Sequence, residues 1–145
     1  MLVTNHVLSG ALIGAAVRRP VPAFMLGVAS HFALDAVPHW GEWGSQRSFM
    51  RVAVPDGLAG LAAIGALAAI APSERRLAVL AGMAGAALPD IEKPTSLLLG
   101  WSPFPRAVDH FHKVIQREAP RRAHYELAAA AILGAATLAI LRKRP

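Results

Sequence analysis

The chain has 145 residues, a net charge of +6, 54% hydrophobic residues and only 17% charged residues. Ordinary soluble domains carry about 25% charged residues, so this composition favours an integral membrane protein over an average soluble enzyme. The absence of cysteine excludes disulfides and thiolate metal sites. Because no basic face is interleaved with aromatic residues, we expect no nucleic-acid partner.

Five apolar segments, separated by proline or arginine-rich breaks, predict a single integral membrane domain over residues 1–145. Its main helices are expected at residues 5–17, 21–37, 52–71, 76–88 and 124–141. Short connections favour an antiparallel bundle, and a shorter interfacial helix is expected within residues 105–117. Because no alternation typical of strands is present, we expect an all-α fold without a sheet. A soluble, alanine-rich helical bundle is the alternative.

Small residues recur at helical spacing in the first and fourth segments. They are Gly10, Gly14, Ala78, Gly82 and Ala86. Such stripes allow helix backbones to approach closely, so we interpret them as packing positions.

The second apolar segment ends in a stretch that combines histidine and carboxylate. His31 and Asp35 are four residues apart and therefore share one helix face. Pro38 should end the helix, which leaves His39 near the same end. Neutral imidazole and carboxylate form a ligand set that suits zinc and related divalent ions. The alternative is that Asp35 only orients His31 inside a packed bundle.

In an antiparallel bundle, all six histidines and most of the acidic residues would gather at one end. Ionisable groups in membrane segments are costly and usually face a functional interior. Clustered carboxylates and imidazoles need a positive partner, which favours a divalent metal or a proton relay. The predicted metal ligands are His6, His31, Asp35, Asp90, His110 and His112, with only one of the last two expected to bind.

Two resemblances point in the same direction. The segment Leu88-Pro89-Asp90-Ile91-Glu92-Lys93-Pro94-Thr95-Ser96 resembles the Leu-Pro-Asp-Ile-Asp-His-Pro-x-Ser segment of the predicted membrane-bound metal-dependent hydrolases, the YdjM-like family of bacterial inner-membrane proteins. That family also has a histidine opening its first helix, a Ser-His-x-x-x-Asp helix and a histidine-rich turn. Here the corresponding residues are His6, Ser30 with His31 and Asp35, and Asp109 to His112. The stretch from His31 to His39 is also similar to the zinc-dependent phospholipase C and single-strand nuclease superfamily.

These observations and resemblances imply a membrane-embedded metal-dependent hydrolase in the bacterial inner membrane. We expect a phosphoester or lipid-type substrate at the membrane surface and one or two zinc ions, with manganese as another possible metal. Asp56 is predicted to be a bridging ligand or general base, and His39 to influence catalysis. The residues expected to bind a substrate phosphate are Lys93, Arg106 and Lys113. Trp40, Trp43 and Trp101 are expected at the membrane interface.

A non-enzymatic membrane protein is the alternative function. It could be a metal or proton transporter or a structural partner. A transporter should carry its polar groups near the middle of the membrane. Here they cluster at one end, which favours a surface site.

Overall fold

The computed structural model describes residues 1–41 and 44–143, and most of them are helical. The prediction of a mainly helical fold is therefore confirmed. In chain order the elements are α1 (Val3–Val17), α2 (Pro20–Asp35), β1 (His39–Trp40), α3 (Gln46–Ile70), α4 (Ser73–Ala87), a 3-10 turn (Leu88–Ile91), α5 (Glu92–Leu99), α6 (Arg106–Ile115), β2 (Glu118–Ala119) and α7 (Ala123–Arg142).

The boundaries of α2 follow from one proline at its start and another just beyond its end. Pro20 opens the helix, where its missing N–H costs nothing. The helix ends at Asp35, before Pro38 and His39, as the sequence predicts. Asp35 is thereby placed in the last turn, with His31 one turn earlier on the same buried face.

Two helical segments differ from the prediction. α3 begins at Gln46 rather than at position 52, because the Ser45 hydroxyl accepts a hydrogen bond from the Ser48 N–H at 3.2 Å and caps the helix. α5 was not predicted, since the prolines of residues 90–122 indicated a connection with one short helix. Pro94 falls in the first turn of α5, where proline is tolerated.

The prediction that no sheet forms is wrong for one short pairing. β1 and β2 form a parallel two-residue ladder, with His39 opposite Glu118 and Trp40 opposite Ala119. The His39 N–H donates to the Arg117 carbonyl at 3.0 Å. Segments of two residues carry no periodicity that a sequence pattern could reveal. The ladder attaches the end of α2 to the end of α6.

Glycine allows α1, α2 and α4 to pack with their backbones nearly in contact. A Cβ atom at Gly82 would meet the Gly10 carbonyl, and one at Gly27 would meet the Gly82 carbonyl. The interpretation of the small-residue stripes as packing positions is confirmed for Gly10, Gly14 and Gly82. The buried core beside them comprises Val7, Ala11, Ala15, Leu67, Ala71, Val79, Met83 and Leu141.

Among the described residues, α3 and α7 are long and apolar enough to cross a membrane. Their apolar side chains are largely exposed, including Leu58 and Leu61 on α3 and Leu127 on α7. α1, α2 and α4 have 15 or 16 residues, or about 23 Å of helix, less than the ~30 Å hydrocarbon thickness. Membrane embedding and the antiparallel order of five helices remain predictions.

Candidate metal centre

Three histidines surround one carboxylate where α1, α2 and α6 meet. Asp35 Oδ2 lies 3.2 Å from His31 Nε2 and 3.1 Å from His112 Nε2. Asp35 Oδ1 lies 3.2 Å from His6 Nε2. All four residues are buried. The structure therefore brings together four of the predicted metal ligands, from positions up to 106 residues apart in the chain.

The local geometry of each helix aims these side chains inward. His31 and Asp35 occupy successive turns of α2, and His112 belongs to the last turn of α6. The His6 ring stacks on the His31 ring, with centroids 3.9 Å apart and planes inclined by 23°. Gln116, one turn after His112, places its amide nitrogen 3.3 Å from Asp35 Oδ2. We call His6, His31, Asp35 and His112 the cluster. Contacts from α1 on one side and from α6 and Gln116 on the other thus hold Asp35 in place.

The tautomer of His31 follows from its partner. His31 Nδ1 lies 2.7 Å from the Ala86 carbonyl oxygen, which can only accept a hydrogen bond. Nδ1 therefore carries a hydrogen, and in the neutral ring Nε2 presents a lone pair toward Asp35 and His112. A backbone carbonyl that orients the other ring nitrogen is typical of metal-binding histidines.

Three ligand atoms have the spacing expected around one metal ion. His31 Nε2 lies 3.0 Å from His112 Nε2, and each lies 3.1–3.2 Å from Asp35 Oδ2. Tetrahedral zinc with bonds of about 2.0–2.1 Å separates its ligand atoms by roughly 3.3 Å. His31, Asp35 and His112 therefore fit a zinc-type site without rearrangement of the helices.

A second group of potential ligands comprises His6, His31 and Asp90. His6 Nε2 lies 4.0 Å from Asp90 Oδ2. His6 is buried, and neither of its ring nitrogens has a hydrogen-bond partner of good geometry among residues 1–41 and 44–143. His31 belongs to both groups, and Asp35 Oδ1, which faces His6, also accepts a hydrogen bond from the Met1 ammonium at 2.6 Å. This arrangement is compatible with one ion or two.

Asp90 also forms an ion pair with Lys93, whose Nζ lies 2.7 Å from Asp90 Oδ1. Burial alone would raise the pKa of Asp90, but the Lys93 ammonium and the nearby His6 and His31 together outweigh it and keep this pKa below its ordinary value. Burial would lower the pKa of Lys93, and Asp90 instead keeps it above its ordinary value. A positive charge is thus fixed at the edge of the cluster.

Asp56 lies outside the cluster. Its carboxylate accepts hydrogen bonds from the N–H groups of Val3 and Thr4 at 2.7 and 3.2 Å, and from the Thr4 hydroxyl at 2.6 Å. These contacts cap the N-terminus of α1, where a negative charge is favourable. Asp56 therefore belongs to neither group of potential ligands, although it lines the same cavity as His39 and Asp90, and we assign it a structural role.

His39 is buried beside the cluster. Its Nδ1 lies 2.9 Å from the Val37 carbonyl oxygen, so Nδ1 carries the hydrogen and the neutral ring keeps a lone pair on Nε2. Burial lowers the pKa of His39, which favours that neutral form. His39 and Asp90 both line a cavity between α3 and α5.

Most of the remaining predicted residues are at the surface. His110, Arg106 and Lys113 are exposed on α6, so His112 rather than His110 joins the cluster. Lys93 and Lys113 border a smaller cavity of about 250 Å³ that reaches His112. Trp101 is exposed and Trp40 half-buried. Trp43 lies outside the described residues.

Sequence reasoning missed Gln116 and Glu126. Glu126 is buried, and its carboxylate accepts hydrogen bonds from the Asn5 amide at 2.6 Å and the Trp40 N–H at 3.1 Å. The sequence signal for Glu126 was an acidic residue inside the apolar run of residues 124–141. For Gln116, the signal was its spacing of four residues from His112.

Comparisons with protein families, with curated proteins and with solved structures found no significant match. The resemblance to membrane-bound metal-dependent hydrolases therefore stays a prediction.

Proposed function

We propose that this chain is a membrane-embedded metal-dependent hydrolase that cleaves a phosphoester or lipid-type substrate at the membrane surface. The observation that carries the proposal is the triangle of His31 Nε2, His112 Nε2 and Asp35 Oδ2, with edges of 3.0–3.2 Å. An unprotonated imidazole lone pair, a second imidazole nitrogen and an anionic oxygen converge there. A divalent ion satisfies all three at once.

The proposed ligands are His31, Asp35 and His112, with His6 and Asp90 available to a second ion. Zinc suits these nitrogen and oxygen donors, and manganese is a further candidate. A bound divalent ion would lower the pKa of a coordinated water and polarise a phosphoryl or acyl oxygen.

Other residues of the chain would handle the substrate and its protons. The lone pair on His39 Nε2 can accept a proton at the cavity wall. Lys93 and Lys113 place positive charge along the smaller cavity that reaches His112, which suits a phosphate group. Arg106 is exposed at the start of α6 and outside that cavity lining, so we assign it no substrate contact.

Membrane embedding is supported by the apolar surfaces of α3 and α7. Their lipid-compatible side chains are exposed rather than packed. On α6, exposed Val108, Phe111 and Val114 accompany the charged Arg106 and Lys113, a composition typical of an interfacial helix. Location in the bacterial inner membrane is proposed on the family resemblance.

Two neighbouring histidines on α6 provide the test. His112→Ala removes a proposed ligand, whereas His110→Ala removes an exposed imidazole two residues away. We expect His112→Ala to lose at least about tenfold in metal affinity, with a comparable loss of hydrolysis of a phosphoester and phospholipid panel. His110→Ala should keep the wild-type metal affinity, and metal affinity is the property compared because His110 also lines the smaller cavity. Equal metal affinity of the two variants, or no hydrolysis by a metal-loaded wild type, would contradict the proposal.

One observation favours a second candidate, a proton-transporting membrane protein. The 3.0 Å separation of His31 Nε2 and His112 Nε2 also suits a shared proton. Proteoliposomes containing a pH-sensitive dye should then show proton flux that His112→Ala abolishes, in protein that binds no metal. Metal binding without proton flux would exclude this candidate.

A further inference from the structure

A mainly apolar cavity lies beside the cluster. α3, α5, β1 and the start of α1 line a partly open cavity of about 580 Å³, within the range of small-molecule sites. Its walls are mainly apolar, with Leu58, Leu61 and Ile64 from α3 and Leu97 and Leu98 from α5.

The polar residues of this cavity connect it to the proposed metal centre. Asp90 belongs both to the cavity wall and to the His6–His31–Asp90 group. Lys93, paired with Asp90 at 2.7 Å, also lines the cavity. A molecule lying in the cavity would therefore have one end beside the cluster and the ammonium group of Lys93.

We infer that this cavity holds the single apolar chain of a membrane phospholipid-type amphiphile, whose phosphate lies beside Lys93 and the cluster. This inference rests on the proposed function for the reaction at the phosphate, and it names the substrate class. Lys93 is the lysine of this lining and is paired with Asp90, and Asp56 and Glu118 also line the cavity. The charge complementarity for a phosphate therefore comes from Lys93 together with the metal proposed beside Asp90. The apolar walls provide the environment for one hydrocarbon chain.

The membrane is the source of this chain because α3 forms one wall of the cavity. α3 is long and apolar enough to cross a bilayer, and few of its residues are buried. Leu58 and Leu61 line the cavity yet remain 63% and 67% exposed, so the cavity opens along α3 toward its apolar surroundings. A lipid chain could enter sideways without crossing water.

Two glycines of α3 allow a matched test. Gly57 lines the cavity, whereas Gly65 lies two turns further along the same helix and outside the lining. A Cβ at either position meets open space, so neither substitution forces the backbone apart. Gly57→Leu should fill part of the cavity, and Gly65→Leu should add the same side chain elsewhere.

The experiment uses the full chain in phosphatidylcholine nanodiscs and a lysophosphatidic acid probe with a photoactivatable diazirine in its acyl chain. Mass spectrometry should locate labelling on α3 and α5, and excess unlabelled lysophosphatidic acid should suppress it. We expect Gly57→Leu to lower this saturable labelling by at least about tenfold. Gly65→Leu should leave it unchanged.

The outcomes separate this inference from the hydrolase proposal. Labelling that avoids the cavity or cannot be saturated, or equal effects of Gly57→Leu and Gly65→Leu, would overturn the inference even in an active, metal-loaded protein. Saturable cavity labelling sensitive to Gly57→Leu would support the lipid-chain site. If that protein bound no metal, the hydrolase proposal alone would fail.

Discussion

Asp35→Asn tests the cluster most specifically, because the substitution keeps the shape of the side chain and removes its charge. Asp35 Oδ2 lies within 3.2 Å of two imidazole nitrogens, so a metal bound there would depend on this anionic oxygen. At free zinc 100 times the Kd, binding stabilises the folded wild type by about 2.7 kcal/mol. At about 2–4 °C per kcal/mol, the Tm should rise by roughly 5–11 °C.

Loss of a charged ligand should weaken zinc binding by about 100-fold or more. At the same zinc concentration the stabilisation of Asp35→Asn would then be about 0.4 kcal/mol, or a Tm shift of about 1–2 °C. Differential scanning fluorimetry with and without zinc measures both shifts.

Asp56→Asn is the matched control, because Asp56 is also buried in part but caps α1. Its new amide would oppose the Val3 N–H, so the metal-free protein should lose about 1–3 kcal/mol of stability. Its zinc-induced shift should remain that of the wild type. A full zinc-induced shift in Asp35→Asn, or its loss in Asp56→Asn, would rule out Asp35 as a metal ligand.

Three further predictions concern packing, capping and pH. Gly82→Leu should destabilise the protein by about 3 kcal/mol or more, because its side chain would meet the Gly10 backbone, while Gly134→Leu should be near neutral; chemical denaturation compares them. Arg75→Met should cost about 1–3 kcal/mol in the same assay, because the buried guanidinium donates to the carbonyl oxygens of Ile140 at 2.7 Å and Lys143 at 3.1 Å. Zinc affinity should fall steadily as the pH is lowered, because protons compete for the imidazole lone pairs; a pH-independent affinity in calorimetry would argue against histidine ligands.

Much of the helical architecture could be predicted from the sequence, because apolar runs and prolines act locally. Pro38 indicated the end of α2, and the structure ends that helix at Asp35. The predicted start of α3 at position 52 was wrong, because the Ser45 cap lies in a polar segment that an apolar pattern does not cover. The β1–β2 ladder was not predicted, because two-residue pairings depend on contacts between residues distant in sequence.

The site could be predicted only in part, because some of its residues are adjacent on one helix and others come together only in the folded chain. His31 and Asp35 could be predicted because their spacing alone places them on one face of α2. The choice of His112 over His110 required the orientation of α6, which the sequence does not specify. Asp56 was misplaced because a carboxylate near a helix start suits both a ligand and a cap. The structure shows the contacts of the cap, with Val3 and Thr4.

Elemental analysis tests the central claim most directly. The wild type would be purified without chelator, equilibrated with zinc or manganese and freed of unbound ion, beside His31→Ala and His110→Ala. We expect one or two ions per chain in the wild type and in His110→Ala, and a clear loss in His31→Ala. A wild type that holds neither zinc nor manganese after this treatment would contradict it.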